Sequence, residues 1–276
     1  MSEGGDGPNP FPNVTGDDGG TPDADDESVQ STLDGAADEG GDRLARSMLA
    51  LLATGAVAGI DVGIGVLAKL SVMEATGSEL LGGLAFGIGF VAILLGKSEL
   101  FTENFLLPVT AVYQRRRSVR SLLRLWTLTG VGNLAGGWVI MGIIVIGVPR
   151  IGESDVLLET SNHFVEMGLG WPLFFSALLG GAAITLMTWM EQATDSVGAK
   201  LVAVIGIGFV LASTPLAHAV VTSLEMFGAL QRTADFGYAD WAGVFGIAVV
   251  GNLLGGIVLV TVLRMVQGRA QDQPDS

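Results

Sequence analysis

The sequence predicts an all-α membrane protein: six transmembrane helices in two inverted three-helix repeats, with the second and fifth helices broken. Three observations lead there. Hydrophobic residues make up 49% of the 276, with 41 glycines and a mean hydropathy of +0.55, a composition that suits an integral membrane chain better than a soluble domain. Two apolar stretches are interrupted by polar sequence, Gly96-Lys97-Ser98-Glu99-Leu100-Phe101-Thr102-Glu103-Asn104 and Ser213-Thr214-Pro215-Leu216-Ala217-His218-Ala219. Irregular backbone at membrane depth survives only where protein or a cavity satisfies its N–H and C=O groups, so paired breaks in opposite halves point to a solute pathway. Lastly, Gly132-Asn133-Leu134-Ala135-Gly136-Gly137 recurs as Gly251-Asn252-Leu253-Leu254-Gly255-Gly256. With three spans in each half, the two copies must lie in opposite orientations.

Composition divides the chain into residues 1–42, a transmembrane part 43–268, and a short C-terminal tail 269–276. The first part holds 12 Asp and Glu, no Lys or Arg, and few large apolar residues. It cannot bury enough surface to offset chain entropy and is expected to be a disordered acidic tail. An acidic start also argues against a secretory signal. From Arg43 onward 16 acidic residues face 14 basic ones, so the transmembrane part is nearly neutral and most of the net charge of −14 belongs to the tail. There is no cysteine, which excludes disulfides and thiolate metal sites.

A helix needs about 20 residues to span the hydrocarbon layer. Six segments approach or meet this length: 45–70, 80–113, 122–148, 171–190, 200–230 and 241–267. In the second, each half on either side of the polar run reads as too short to span alone. Basic residues in the connections set the orientation. With the N-terminus inside, the cytoplasmic face receives Arg43, Arg46, the cluster Arg115, Arg116, Arg117, Arg120 and Arg124, then Lys200, Arg264 and Arg269. Both termini are expected in the cytoplasm. The five-arginine cluster reads first as a topology anchor and second as a site for anionic lipid or a nucleotide.

The glycines of the repeated motif allow helix backbones to approach closely. Close packing is the leading reading of Asn133 and Asn252 as well, with hydrogen bonding to backbone freed at the breaks as the alternative.

Gly96, Glu99-Leu100-Phe101-Thr102, Asn104, the basic loop that follows, Gly132-Asn133-Leu134-x-Gly136 and a histidine, His218, in the broken fifth segment together resemble the formate/nitrite transporter family. The resemblance runs in order over residues 45–267. It implies an aquaporin-like fold, assembly as a homopentamer, and one pathway per protomer for small monovalent anions or their conjugate acids: formate, nitrite, hydrosulfide, lactate or acetate. It places Leu100, Thr102, Phe86 and Phe90 at one hydrophobic constriction, and Leu211 and Ile184 at the other. The four-residue spacing of Phe86 and Phe90 puts both rings on one helix face, as pore lining or core packing would. Where many family members carry a glutamate before the central histidine, this chain has Ala217. Their lysine at the outer mouth aligns near Glu159, and their asparagine in the fourth span aligns with Gly181. An outer funnel with acid in place of its lysine is a weaker attractor of anions.

Ionisable side chains inside a span are functional candidates by default. His218 titrates near neutrality when unperturbed and can give a proton or a hydrogen bond to a weak-acid anion; a purely structural histidine would bond a carbonyl freed by the break. Asp61 and Lys97 are expected to pair, because lone charges in a membrane are costly. Glu99 and Glu103, flanking Leu100-Phe101-Thr102, are expected to accept loop N–H groups, with proton handling as the second role. His163 and His218 lack a companion at ligand spacing, so no metal site or other cofactor is expected. The partners expected are a small anion and membrane lipid, not nucleic acid, and the location is the cytoplasmic or inner membrane. No Gly-x-Ser-x-Gly elbow accompanies Ser98, which argues against a hydrolase. A channel for water or a small neutral solute is the rival, although the Asn-Pro-Ala signature is absent from both breaks.

Overall fold

The computed structural model describes residues 28–232 and 234–271, and all regular structure among them is helical. In chain order the helices are α1 (Val29–Ala45), α2 (Met48–Thr76), α3 (Glu79–Gly96), α4 (Leu107–Tyr113), α5 (Val119–Gly147), α6 (Pro149–Gly152), α7 (Asp155–Glu166), α8 (Trp171–Gln192), α9 (Val197–Ser213), α10 (Ala219–Leu230), α11 (Tyr238–Leu254) and α12 (Leu263–Gln271). A π-helical stretch, Gly255–Val262, joins the last two into one rod. Serine starts many of these helices. Ser28, Ser47, Ser78, Ser118, Ser154 and Ser196 each turn a side-chain oxygen onto a backbone N–H in the first helical turn, satisfying one of the donors a helix start leaves free.

Among the described residues five helices are long and apolar enough to cross a membrane: α2, α3, α5, α8 and the continuous rod Tyr238–Gln271; α9 and α10 are shorter apolar helices. α3, at 18 residues, meets the length unaided, so the expectation that each half of the second segment is too short holds only for α4. The helices pack at glycine. A Cβ on Gly55 would stand 2.7 Å from the Thr129 carbonyl oxygen, and one on Gly132 would stand 2.6 Å from that of Leu52. Only residues without a side chain let α2 and α5 come this close.

The expected disordered tail is corrected over part of its length. Residues 1–27 lie outside the described residues, but from Val29 onward the segment is α1, not a tail. Leu33, Ala36, Ala37, Gly40, Gly41 and Leu44 recur at helical spacing and are buried, against α4, α12, α5 and α8. Small residues form this stripe, and the surrounding acid residues mask it in the average composition. At the other end α12 runs to Gln271, into the predicted C-terminal tail, whose residues 272–276 are outside the described ones.

Candidate functional site

Both interruptions are breaks in the structure. α3 stops at Lys97, which adopts the left-handed conformation (φ 54°) and returns its N–H to the Ile93 carbonyl. The chain then turns through the 3₁₀ segment Phe101–Phe105 before α4. α9 ends at Ser213, and α10 begins at Ala219 with His218 as its N-cap.

One asparagine braces each break, in the same way. Asn133 on α5 accepts the Phe101 N–H (2.7 Å) and donates to the carbonyls of Glu99 (2.9 Å) and Gly55 (2.8 Å). Asn252 on α11 accepts the Ala219 N–H (2.8 Å) and donates to the carbonyls of Ala217 (3.0 Å) and Ala177 (2.6 Å). Each amide thus spans a residue pair in the break and ties it to the preceding long helix, α2 or α8. Both side chains are fully buried, where an unpaired backbone group is costly. The hydrogen-bonding alternative for these residues is therefore what the contacts display. Other side chains complete the bracing: Trp126 Nε1 donates to the Asn104 carbonyl (2.9 Å) and Thr261, in the π stretch, to that of Phe105 (2.9 Å). Phe101 and Phe105 meet edge to face at 5.2 Å.

The two breaks touch each other at Thr102 and His218, whose Oγ1 and Nε2 are 2.7 Å apart, both fully buried. His218 Nδ1 accepts the Val221 N–H at 3.2 Å. A neutral ring accepting at Nδ1 carries its proton on Nε2, so Nε2–H donates to the Thr102 oxygen. The hydroxyl keeps its own proton to donate onward. The expected carbonyl partner of a structural histidine is replaced by this backbone N–H, because the ring caps α10.

Phe86, Phe90, Leu100, Ile184 and Leu211 are each at most 2% exposed and belong to one apolar cluster; Phe86 and Phe90 meet edge to face at 5.2 Å. A cavity opens at either end of α3. The proximal one, about 300 Å³, reaches Lys97 and Phe90, together with Arg43 and Arg46 near the start of the chain; the distal one, about 120 Å³, reaches Glu79, Lys69, Ala212 and Pro215. Eighteen helical residues place these ends about 27 Å apart.

The proximal cavity holds four cations (Arg43, Arg46, Lys97, Lys200) against four carboxylates (Glu39, Glu99, Glu103, Glu191). Burial disfavours the Glu39 carboxylate, yet the charge and hydrogen bonds of Arg43, with further help from Gln192 and Lys200, outweigh this and hold its pKa below the usual 4.5. Arg43 is disfavoured by burial as well, but Glu39, Glu99 and Glu103 raise its pKa above the usual value. Glu103 accepts the Leu100 N–H at 3.4 Å as expected of a loop carboxylate. Glu99 does not serve the loop in that way. Its carboxylate meets Arg46, with Arg43 Nε 3.7 Å away.

Asp61 and Lys97 form no ion pair among the described residues, which corrects the expected pairing. Asp61 instead accepts from Ser98 Oγ at 2.7 Å, and the left-handed turn at Lys97 leaves that side chain exposed at the cavity. The buried pair in this structure is Lys69 with Glu225, at 2.8 Å. Sequence reasoning missed it, although both residues are charges inside predicted spans.

The family model described as formate/nitrite transporter matches residues 30–266. The chain belongs to the formate/nitrite transporter family. It is a multi-pass membrane protein of a family of transporters, not of enzymes. Among its relatives, the inner membrane protein YfdC of Escherichia coli K12 is 28% identical over 84% of this chain and 76% of that protein. The formate channel BtFdhC of Bacillus thuringiensis is 22% identical over 78% and 85% respectively. Among solved structures, an FNT family ion channel superposes with a TM-score of 0.78, covering 89% of this chain and all of that one at 20% identity. A pentameric formate channel with formate bound superposes at 0.63, over 79% and 96%, also at 20% identity. The formate/nitrite transporter fold of this chain is thus shared with both.

Proposed function

We propose that this formate/nitrite transporter is a channel or transporter for small monovalent anions or their conjugate acids, with the route running between the two breaks at Thr102 and His218. The observation that carries the reading is the 2.7 Å contact between those two buried side chains, beside an apolar cluster that includes Leu100, Phe101, Val220 and Val221, with one cavity at each end of α3. Phe86, Phe90, Leu100, Leu211 and Ile184 form the dry constrictions. Thr102 offers a hydroxyl proton, and His218 a titratable ring, to an ion that has shed its water. Glu99, Phe101, Glu103, Asn133 and Asn252 hold the loops in place.

The matched bracing by Asn133 and Asn252 supports two inverted three-helix repeats, α2–α5 and α8–α11, with α9 and α10 together counting as one broken span. The names of relatives that are formate channels support the substrate class, and the pentameric neighbour supports a homopentamer. The arginines beside α1 and α5 support both termini lying in the cytoplasm.

The test is flux in proteoliposomes containing the purified protein, over a panel of formate, nitrite, hydrosulfide, lactate and acetate at two pH values. Anion or acid flux is expected. Passage of water or glycerol without any anion flux would replace this reading with a neutral-solute channel.

A further inference from the structure

We propose that Lys69 and Glu225 form a second site at the distal cavity, where a small monovalent oxyanion binds the Lys69 ammonium while Glu225 takes up its proton. The proposal rests on the anion-channel reading and adds to it a binding site remote from Thr102 and His218.

Lys69 on α2 and Glu225 on α10 are 4% and 1% exposed in their side chains, with Nζ 2.8 Å from Oε1. Removing two charges from water is costly, and a pair of well-packed apolar residues would hold the helices as well. The pair takes no part in bracing either break. One ammonium donor of Lys69 engages Glu225, and Lys69 is also one of the residues lining the distal cavity; an ammonium has three donors, so two remain for a ligand that reaches Nζ. At about 120 Å³ the cavity has room for a small oxyanion, since a single water needs only about 10–15 Å³ of such space. A dicarboxylate brings a second charge for which the cavity lining offers no second lysine or arginine. Glu79 and Glu159, at the mouth, are exposed and therefore screened by solvent and salt. The buried ammonium is screened far less, so the cavity favours an anion even though acid stands where the family carries lysine.

The chemistry balances. An arriving acid donates its proton: its O–H bond breaks and an O–H bond forms on the Glu225 carboxylate. The resulting anion accepts from Lys69 in place of Glu225, so one ion pair replaces another and the net charge is unchanged. Glu225 meets the cavity only through Lys69, so the transfer requires an oxygen bound to Nζ to come within hydrogen-bond reach of Glu225.

α10 packs against α2, α5, α7 and α11. Their ionisable residues are Asp61, Lys69 and Glu74 on α2, Arg120 and Arg124 on α5, Asp155, Glu159, His163 and Glu166 on α7, and Tyr238 and Asp240 on α11. Among the described residues Lys69 alone forms an ion pair with Glu225.

The experiment is calorimetric titration of the full-length protein in detergent with sodium formate, from pH 5 to 8, with succinate as the size control. Because one proton binds with each anion, wild-type affinity should strengthen by up to about tenfold for each unit of pH lowered. Glu225→Gln imitates the protonated acid and should bind about tenfold more tightly at pH 7, with the slope lost. Lys69→Met should weaken binding at least tenfold. The double variant Lys69→Met/Glu225→Gln, which leaves no lone buried charge, should fold and bind as weakly. The opposite signs of the two single variants are decisive. If both weaken binding equally, if Glu225→Gln keeps the wild-type slope, or if succinate binds as well as formate, the site is overturned. His163→Gln should keep the slope, and its loss there would place the proton elsewhere and overturn the proposal. Wild-type flux is read in parallel. Absence of all anion flux would sink the channel reading, whereas flux alongside a slope indifferent to Glu225 would sink this site alone.

Discussion

Replacing Asn133 by leucine keeps the side-chain volume nearly constant and deletes three buried hydrogen bonds. The Gly55 carbonyl sits inside α2 and has a helical partner, so losing its bond to Asn133 costs about 0.5–1.5 kcal/mol. The Phe101 N–H and the Glu99 carbonyl belong to the break and make no other bond among the described residues. Leaving each buried and unpaired costs about 1–3 kcal/mol. The sum centres on about 5 kcal/mol. At about 2–4 °C per kcal/mol for a chain of this size, the midpoint of unfolding in detergent should fall by about 10–20 °C. Asn252→Leu orphans the Ala219 N–H and the Ala217 carbonyl in the same manner and should cost as much. Scanning fluorimetry of both variants reads the shift. A fall below about 3 °C in either variant would show that the asparagines act by packing, and a large fall in only one would refute the equivalence of the two braces.

Thr102→Val should lower anion flux and also move the pH midpoint of flux, since it removes the partner of His218 Nε2; an unmoved midpoint would show that hydroxyl and ring act independently. Lys97→Ala should leave stability within about 0.5 kcal/mol of wild type, whereas Asp61→Ala, which abandons the Ser98 hydroxyl, should cost about 1–3 kcal/mol; equal losses in denaturation would restore the Asp61–Lys97 pair. Glu39 has a folded pKa below its unfolded value, so its contribution is complete above about pH 5 and disappears as the pH falls through the folded value. The stability gap between wild type and Glu39→Gln should therefore be constant above about pH 5 and close as the pH falls through the lowered folded value. A gap that widens on acidification would contradict the Arg43 pairing.

Much of this architecture was legible because membranes limit the choices. Polar runs inside apolar segments had to be breaks, and the repeated Gly-Asn motif marked where helices approach closely. The hydrogen bonds of Asn133 and Asn252 were harder to foresee, since spacing alone reveals a shared face and not an amide reaching into a loop. Asp61 and Lys97 were misjudged because charge balance ignores backbone. The left-handed turn at Lys97 carries its side chain to the cavity and brings Ser98 to Asp61 instead. Lys69 and Glu225, 156 residues apart, have no local pattern to connect them. α1 was hidden by averaging, because a stripe of alanine and glycine contributes little hydropathy while its acidic neighbours dominate the composition. The π stretch at Gly255–Val262 depends on backbone register, which no side chain announces.

The route between the breaks is tested most directly by the pH dependence of anion flux in proteoliposomes containing His218→Asn. Asparagine is a favoured N-cap, so it can keep the Val221 N–H satisfied and α10 in place while removing the titrating ring. The expected result is a folded oligomer of wild-type mass whose anion flux has lost its pH dependence. Full retention of the wild-type pH response would contradict a proton-linked passage at Thr102 and His218 and reduce the histidine to a helix cap.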